Sequence, residues 1–226
     1  MTYPPSISVV IPTLNAAAQL AATLKSVGGK VGEVIIPDGG SVDETAEIAA
    51  RAGARIVPSE KGRGQQLRTG AAAATGDWLL FLHADTVLPE DWFAEVSDYT
   101  AETANAGRAA TFTFALDDPA PQARRIERLV AWRTRRLGLP YGDQGLLISR
   151  NQYDRLGGFR PIPLMEDVDI VRRIGRSNLD VLDTRAVTSA ERYRRGGWWG
   201  RPARNICCLA LYFLGVPPRI LVRLYR

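Results

Sequence analysis

The first hundred positions alternate between short β-branched apolar runs and segments whose apolar residues return every three or four positions. "ISVVI" (7–11) reads as a buried strand, and the stretch from about 16 to 27 sets Leu20, Leu24 and Val27 on one helical face. "EVIIP" (33–37) predicts a second strand. In "SVDETAEIAARAG", Ser41 is the expected N-cap and Glu44 closes a capping box, which starts a second helix. "ARIVP" (54–58) predicts a third strand, an Ala-rich helix follows near 65–74, and "WLLFLHA" (78–84) predicts a fourth strand. Strand and helix taking turns in this way specify parallel strands with helices on the sheet faces.

The later pattern is less regular. "LDDPAPQ" (116–122) is loop-like and separates the α/β half from the remainder. A helix is expected from Pro121 to Leu137, then a turn at "LPYGDQG", a short helix near 151–156 and another from about Leu164. The end reads as helical until "GVPP", whose prolines break it before a last amphipathic turn or two.

Charge changes the picture more than composition does. Residues 1–100 carry 7 basic and 12 acidic side chains; residues 101–226 carry 22 and 12, so net charges of −5 and +10 make up the +5 of the 226-residue chain. From 192 onward there are eight arginines and no acid. Such an end suits an anionic partner: phosphate groups, a lipid surface or nucleic acid. The two cysteines, Cys207 and Cys208, are adjacent and suggest neither a disulfide framework nor a zinc cluster. The start lacks the basic and apolar regions of a signal peptide. The longest apolar run, "ICCLALYFLGV", spans about 11 residues where a membrane helix needs about 20. A cytoplasmic protein is the expectation.

Ligands of open parallel sheets bind beyond the carboxyl ends of the strands. "PTLN" follows the first strand, "PDGGS" the second and "HADT" the fourth, so Asp38 and Asp85 are expected to face one crevice. Each alone is an ordinary turn aspartate. "MEDVD" (165–169) brings a second carboxylate group, which as plain helix chemistry favours the dipole at a helix start.

In order and spacing, "ISVVIPTLN", "EVIIPDGGSVDETAEIA", "GRGQQLRTGAAAATGDWLLFLHADT", "YGDQGLLISRNQYDRLGGF" and "MEDVDIVRRI" together resemble the family 2 inverting glycosyltransferases over about residues 6–176. The His-Ala-Asp-Thr stretch resembles a subset of that family whose acceptor is unknown. The resemblance implies the GT-A fold: a mostly parallel central sheet flanked by helices, with C-terminal helices. It divides the chain into a transferase domain at 1–190 and a basic, aromatic helical segment at 191–226. It also implies a sugar moved with inversion from a UDP- or GDP-hexose, UDP favoured, to an acceptor hydroxyl, assisted by Mg²⁺ or Mn²⁺.

The same resemblance implies site roles. Pro12, Thr13 and Asn15 would shape the loop holding the base, and Asp38 would accept hydrogen bonds from base or ribose. Gly39 would let the backbone approach the ligand, and Arg63, Gln66 and Arg68 would meet the nucleotide or its phosphates. Asp85 matches the last acid of the family's metal-binding Asp-x-Asp motif, and His83 stands where the first acid is expected. A hard divalent ion needs only one or two carboxylates when substrate phosphates complete its shell, and Mn²⁺ tolerates an imidazole. Asp167 would be the general base, with Glu166 supporting the geometry or binding the acceptor. Asp143 and Gln144 would wall the acceptor and donor-sugar space.

Other readings stay open on the sequence alone. A sugar nucleotidyltransferase expects a glycine- and cation-bearing loop after the first strand, where this chain has "PTLNAAAQL". A glycoside hydrolase also uses two carboxylates but needs no nucleotide site. A non-enzymatic anionic-surface module would use the basic half, with membrane preferred; no nucleic-acid partner is expected, because the arginines spread over several predicted helices without a recognisable motif. "RYRRGGWWGRPARN" (192–205) mixes arginines with aromatics as peripheral membrane segments do. Its helix could lie at the inner face of the membrane, pack on the domain or meet a second subunit in a homodimer. A lipid-linked acceptor is one of the options.

Overall fold

A computed structural model describes residues 5–225, apart from the side chains of Arg192, Arg195 and Arg201. The first half follows the hydrophobic pattern. Strands β1 (Ile7–Val10), β2 (Glu33–Asp38), β3 (Arg55–Pro58) and β4 (Trp78–Phe81) alternate with helices α1 (Ala17–Val27), α2 (Thr45–Arg51) and α3 (Arg63–Ala73). β1 pairs in parallel with β2 and β4, and β2 with β3. Successive side chains of a strand point to opposite faces. Val9 therefore joins the core layer of Leu20, Ile36 and Trp92, while Val10 joins that of Ile35, Leu67 and Ile170.

One helix start differs from expectation. α2 begins at Thr45 and the preceding Glu44 makes no side-chain cap. Asp43 does that work, its Oδ1 accepting from the Thr45 amide at 3.1 Å and the Thr45 hydroxyl at 2.5 Å. The Ser41 hydroxyl donates to Asp38 instead, at 2.5 Å, so the capping box gives way to a contact within the loop that joins β2 to α2.

The second half brings the helices expected at 121–137, near 151–156 and after 164, together with a further helix and strands that the pattern does not announce. After β5 (Thr86–Val87) come α4 (Trp92–Ala101), β6 (Ala109–Leu116), α5 (Pro121–Leu137), β7 (Leu146–Ser149), α6 (Arg150–Arg155), α7 (Glu166–Ile174) and β8 (Leu179–Thr188). β7 runs antiparallel between β4 and β6, β6 pairs in parallel with β8, and β5 closes the edge antiparallel to β8. The sheet order is β3-β2-β1-β4-β7-β6-β8-β5, mixed but mostly parallel. β8 is acidic and basic along its length because Asp180 is spent on a two-point pair with Arg108, at 2.6 and 2.5 Å, beside β6.

α8 (Glu191–Gly196), α9 (Gly200–Phe213) and α10 (Pro218–Tyr225) follow. Cys208 of α9 and Leu221 of α10 are buried with Leu139, Met165 and Val168, so the helical end packs on the domain along that face. Both cysteines are free thiols. Among the described residues no helix is long and apolar enough to cross a membrane.

The approach of α3 to the sheet depends on Gly70, which is buried over β1 and β2. A Cβ there would lie 2.4 Å from Val10 Cγ1 and 3.0 Å from Pro37 Cγ. Gly70→Ala should therefore destabilise the protein by about 1–3 kcal/mol through overpacking, although alanine is the better helix former by about 1 kcal/mol. Gly107→Ala, where a Cβ meets nothing within 4 Å, should stay within about 0.5 kcal/mol of wild type. Urea unfolding midpoints of the two variants check this; equal midpoints would refute it.

Candidate active site

Where β1 and β2 end, their loops are tied to each other before any ligand arrives. The Thr13 amide donates to Pro37 O at 3.2 Å and the Gly39 amide to Thr13 O at 2.9 Å. Asp38 gathers four donors: the Thr13 and Ser41 hydroxyls on Oδ1, and the Gly40 and Ser41 amides on Oδ2. Burial works against its charge, but these bonds outweigh it and hold the carboxyl below its ordinary value. A carboxylate offers about four acceptor sites, and here the chain fills them. Asp38 thus organises the loops at the ends of β1 and β2. Asn15, at φ 50°, binds the Val42 amide through its side chain while its own amide donates to Ser41 Oγ.

Gln66 of α3 completes this knot, giving its side-chain N–H groups to Thr13 O at 2.5 Å and Pro37 O at 3.0 Å. Gly39 serves the same contact, since a Cβ on it would meet the Gln66 amide at 3.1 Å. Pro12, Thr13 and Asn15 then border an open hollow whose far side carries Lys61, Arg63 and Asp85. Arg68 lies on the exposed side of α3 and borders none of the hollows. Two cations at the start of an eleven-residue helix make this side suited to an anion.

A second hollow adjoins the first through Arg63, His83, Asp85 and Ser189. Its floor is acidic: Asp85, Asp143, Glu166 and Asp167. Met165, at φ 66°, turns the chain sharply into α7, a left-handed conformation that a non-glycine residue adopts rarely. Glu166 is thereby buried, 3 % exposed, with its Oε1 3.6 Å from Arg63 Nη1. Burial raises its carboxyl well above the ordinary range, the charge of Asp167 adds to this, and Arg63 only partly offsets it. Asp167 is the more open of the pair. Its Oδ2 accepts the Gly142 amide at 2.9 Å and its Oδ1 the Val168 amide at 2.8 Å, which fixes the carboxylate's orientation.

Gly142 sits where no side chain fits. A Cβ there would stand 2.6 Å from His83 Nε2 and 3.6 Å from Asp167 Oδ2. Asp143, next along, has its Oδ1 shielded from water and without a hydrogen-bond donor. Burial lifts its carboxyl to about 6; Arg133 opposes the rise, and the charges of Asp167 and Asp85 reinforce it. Gln144 does not wall the site. It is 1 % exposed, its Nε2 donates to Phe112 O, and its Oε1 accepts from Thr134 and Arg133. The side chain pins α5 to β6, an interior task that the hydrophilic "GDQG" gives no hint of. Asn205 of α9 and Tyr225 of α10 also border the acidic hollow. Nothing in the local sequence points to them, because only the return of the chain end brings them there.

Among the described residues no three His, Cys, Asp or Glu side chains are grouped to hold a metal ion unaided. Asp85 and His83 nevertheless border both hollows, one hard oxygen donor and one borderline nitrogen. That donor set fits an ion that keeps waters and takes substrate oxygens.

Residues 8–162 match the family model described as Glycosyl transferase family 2. The chain belongs to this family. It is 39% identical over 109 residues to a PGL/p-HBAD biosynthesis glycosyltransferase of Mycobacterium tuberculosis (strain ATCC 25177 / H37Ra), a match covering 43% of each chain. It is 35% identical over 101 residues to the glucosyl-3-phosphoglycerate synthase of Mycolicibacterium smegmatis, covering 39% of this chain and 33% of that one. The match thus spans less than half the length of these curated relatives. Among solved structures, glucosyl-3-phosphoglycerate synthase from Mycobacterium tuberculosis in complex with Mn²⁺ and UDP-glucose superposes with a TM-score of 0.65 at 21% identity, over 94% of this chain and 80% of that one. S. aureus TarS 1-349 in complex with UDP-GlcNAc superposes at 0.62 and 15% identity, over 81% and 58%. At such identities the likeness establishes the fold, which is GT-A. Glu166 and Asp167 lie just beyond the family match.

Asp143 gives this family member a measurable pH signature in metal-free solution. The folded carboxyl stays protonated up to about pH 6, whereas its ordinary value is 3.8. A raised acid contributes stability that is complete below the lower value and lost as pH rises through the higher one. Asp143→Asn, which cannot ionise, should match wild type near pH ~4 and exceed it by about 1–3 kcal/mol at pH ~7. Urea midpoints across that range test this, and a difference that does not vary with pH would exclude it.

Proposed function

We propose that this family 2 member transfers a sugar from a nucleoside-diphosphate sugar, UDP-hexose favoured, to an acceptor hydroxyl with inversion. One observation carries the reading: a cation-bordered hollow beside the β1 and β2 loops opens, through Arg63, His83 and Asp85, directly onto a cluster of carboxylates. The first hollow suits the nucleoside diphosphate, with Lys61 and Arg63 toward its phosphates. Asp85, with His83 beside it, would hold Mg²⁺ or Mn²⁺ against the diphosphate; when bound, the ion neutralises charge on the leaving group. The complex of glucosyl-3-phosphoglycerate synthase from Mycobacterium tuberculosis with Mn²⁺ and UDP-glucose lends support.

In the second hollow Asp167 is the general base. Its carboxylate is fixed by two backbone amides and takes the proton of the acceptor hydroxyl. The hydroxyl oxygen forms a bond to the anomeric carbon as the bond from that carbon to the diphosphate breaks, and the electron pair leaves with the nucleoside diphosphate. Attack from the side opposite the leaving group inverts the centre. Glu166, buried on Arg63, keeps that guanidinium in place between the hollows and is a positioning residue. The His-Ala-Asp-Thr stretch (83–86) supports reading the protein as one of a subset of the family that shares this sequence.

We further propose that the protein works in the cytoplasm, peripherally at the inner face of the membrane. Trp199, Phe213, Leu214, Ile220 and Leu224 are exposed on or beside α9 and α10, in a stretch rich in arginine and free of acids.

With UDP-glucose, UDP-GlcNAc and GDP-mannose supplied as a panel, nucleoside diphosphate release should depend on Mn²⁺ or Mg²⁺ and stop on EDTA addition. Asp167→Asn should lower kcat by about 10²–10⁴-fold with little change in KM, and Asp85→Ala should raise the metal concentration required. Unchanged kcat in Asp167→Asn would remove the base assignment, and retention of anomeric configuration in the product would remove the mechanism.

A further inference from the structure

α5 and α9 run past each other without closing the space between them. Leu129, Trp132 and Leu137 of α5 face Pro202, Ile206 and Leu209 of α9 across a groove of about 770 Å³, its open side included. Trp132 and Ile206 are 55 % and 54 % exposed. Of the ten large hydrophobic side chains exposed among the described residues, all but Val42 lie between positions 129 and 224. Four of these, Leu129, Trp132, Leu137 and Ile206, line this one groove, and exposed apolar surface gathered in one place marks a site where something apolar binds.

The groove does not end blindly. Its inner end is formed by Tyr141, Asp143, Tyr193 and Asn205, which also border the acidic hollow. At that junction two side-chain oxygens, Asp143 Oδ1 and Asn205 Oδ1, are shielded from water and have no donor. They are the only oxygens so left among the described residues; the other two such atoms are arginine nitrogens elsewhere. Buried acceptors without donors are costly and call for a partner. The nearby cation does not serve, since Arg133 stacks on the Tyr141 ring at 3.5 Å and donates to Leu139 O.

We propose that this groove binds the apolar chain of a lipid-like alcohol, the acceptor of the transferase, whose hydroxyl-bearing head enters the catalytic hollow between Asp143 and Asn205. The inference rests on the transferase reading of that hollow and adds the acceptor's class and its seat. A hydroxyl brings one donor, which one of the two oxygens accepts as the head docks and which turns to Asp167 for the transfer, and the carbon walls ask for a chain without polar groups. A peptide would bring backbone N–H and C=O groups into a groove whose walls cannot pair them. A free sugar would leave the walls uncovered. In the transfer, the head's hydroxyl oxygen bonds to the anomeric carbon, its proton passes to Asp167, and the nucleoside diphosphate leaves with the electron pair of the broken bond.

The test uses the full chain with Mn²⁺ and UDP, and a dodecanol carrying a diazirine near its methyl end. Photolabelling should be saturable, fall on the peptides of α5 and α9, and be displaced by unlabelled dodecanol about tenfold better than by its methyl ether, the loss of one hydrogen-bond donor. Asn205→Leu should erase that preference. Ile206→Glu, at an exposed wall position, should lower labelling at least fivefold while the thermal shift given by UDP and Mn²⁺ stays as in wild type. Label spread over the surface, label confined to α10, or equal displacement by alcohol and ether would each overturn the proposal. So would a dimer in sedimentation that shields the groove from label. If UDP and Mn²⁺ give no shift, the transferase reading fails; if they do and the groove is not labelled, only the acceptor's seat fails.

Discussion

The hydrogen bond from the Gly142 amide to Asp167 Oδ2, at 2.9 Å, joins segments that are far apart in sequence. It couples the turn before β7 to the first turn of α7. Because residue 142 has no Cβ, the His83 ring from the end of β4 can close against the same point. Three chain segments therefore meet without a side chain between them. A side chain at 142 would displace the His83 imidazole, which borders both hollows.

That closeness has an electrostatic consequence. Four carboxyl groups face a space whose cations are Arg63, paired with Glu166, and Arg133, set toward Asp143, and two of the four, Asp143 and Glu166, are raised by burial and by their ionised neighbours. A cluster of this kind is under-neutralised as it stands. In the proposed reaction such a floor favours cations, and a diphosphate would lie to the side of Lys61 and Arg63 rather than among the acids. The division between an anion-accepting hollow and a proton-accepting one thus follows from where the charges are fixed, before any substrate is considered.

How much of this was legible in the sequence depended on whether a residue's task was local. β1 to β4 and their helices follow from apolar spacing, because each strand is short, β-branched and bounded by loop residues. β6 is buried on both faces, so "AATFTFAL" lacks the polar alternation that marks a half-exposed strand, and β8 carries charges that are satisfied only by Arg108 and other distant partners. The same distinction holds in the site. Asp85 and Asp167 stand at the end of a strand and the start of a helix, where position alone suggests a role. Nothing in the motif around Asp38 announces the four donors that it takes from the chain's own loops, and Gln144, expected as a wall, is buried against Phe112 O and Thr134. A polar residue in a loop motif looks the same in sequence whether it faces a ligand or the chain.

The helical end shows why the remainder was hidden. Cys208 and Leu221 are buried against Met165 and Val168, so the tail is anchored next to the residues that open α7. This packing carries Asn205 and Tyr225 to the edge of the acidic hollow. The family match ends at residue 162, before Glu166, Asp167, Asn205 and Tyr225. The loops proposed to handle the nucleotide lie wholly inside the match, whereas the proposed acceptor side combines α5 and Asp143, which lie inside it, with Asp167, Asn205 and α9, which lie beyond it. Helices with one face in the core and the other apolar toward solvent give the acceptor side a surface of its own. Specificity for the acceptor would then be set by how α5 and α9 flank the hollow, independently of the loops at the ends of β1 and β2.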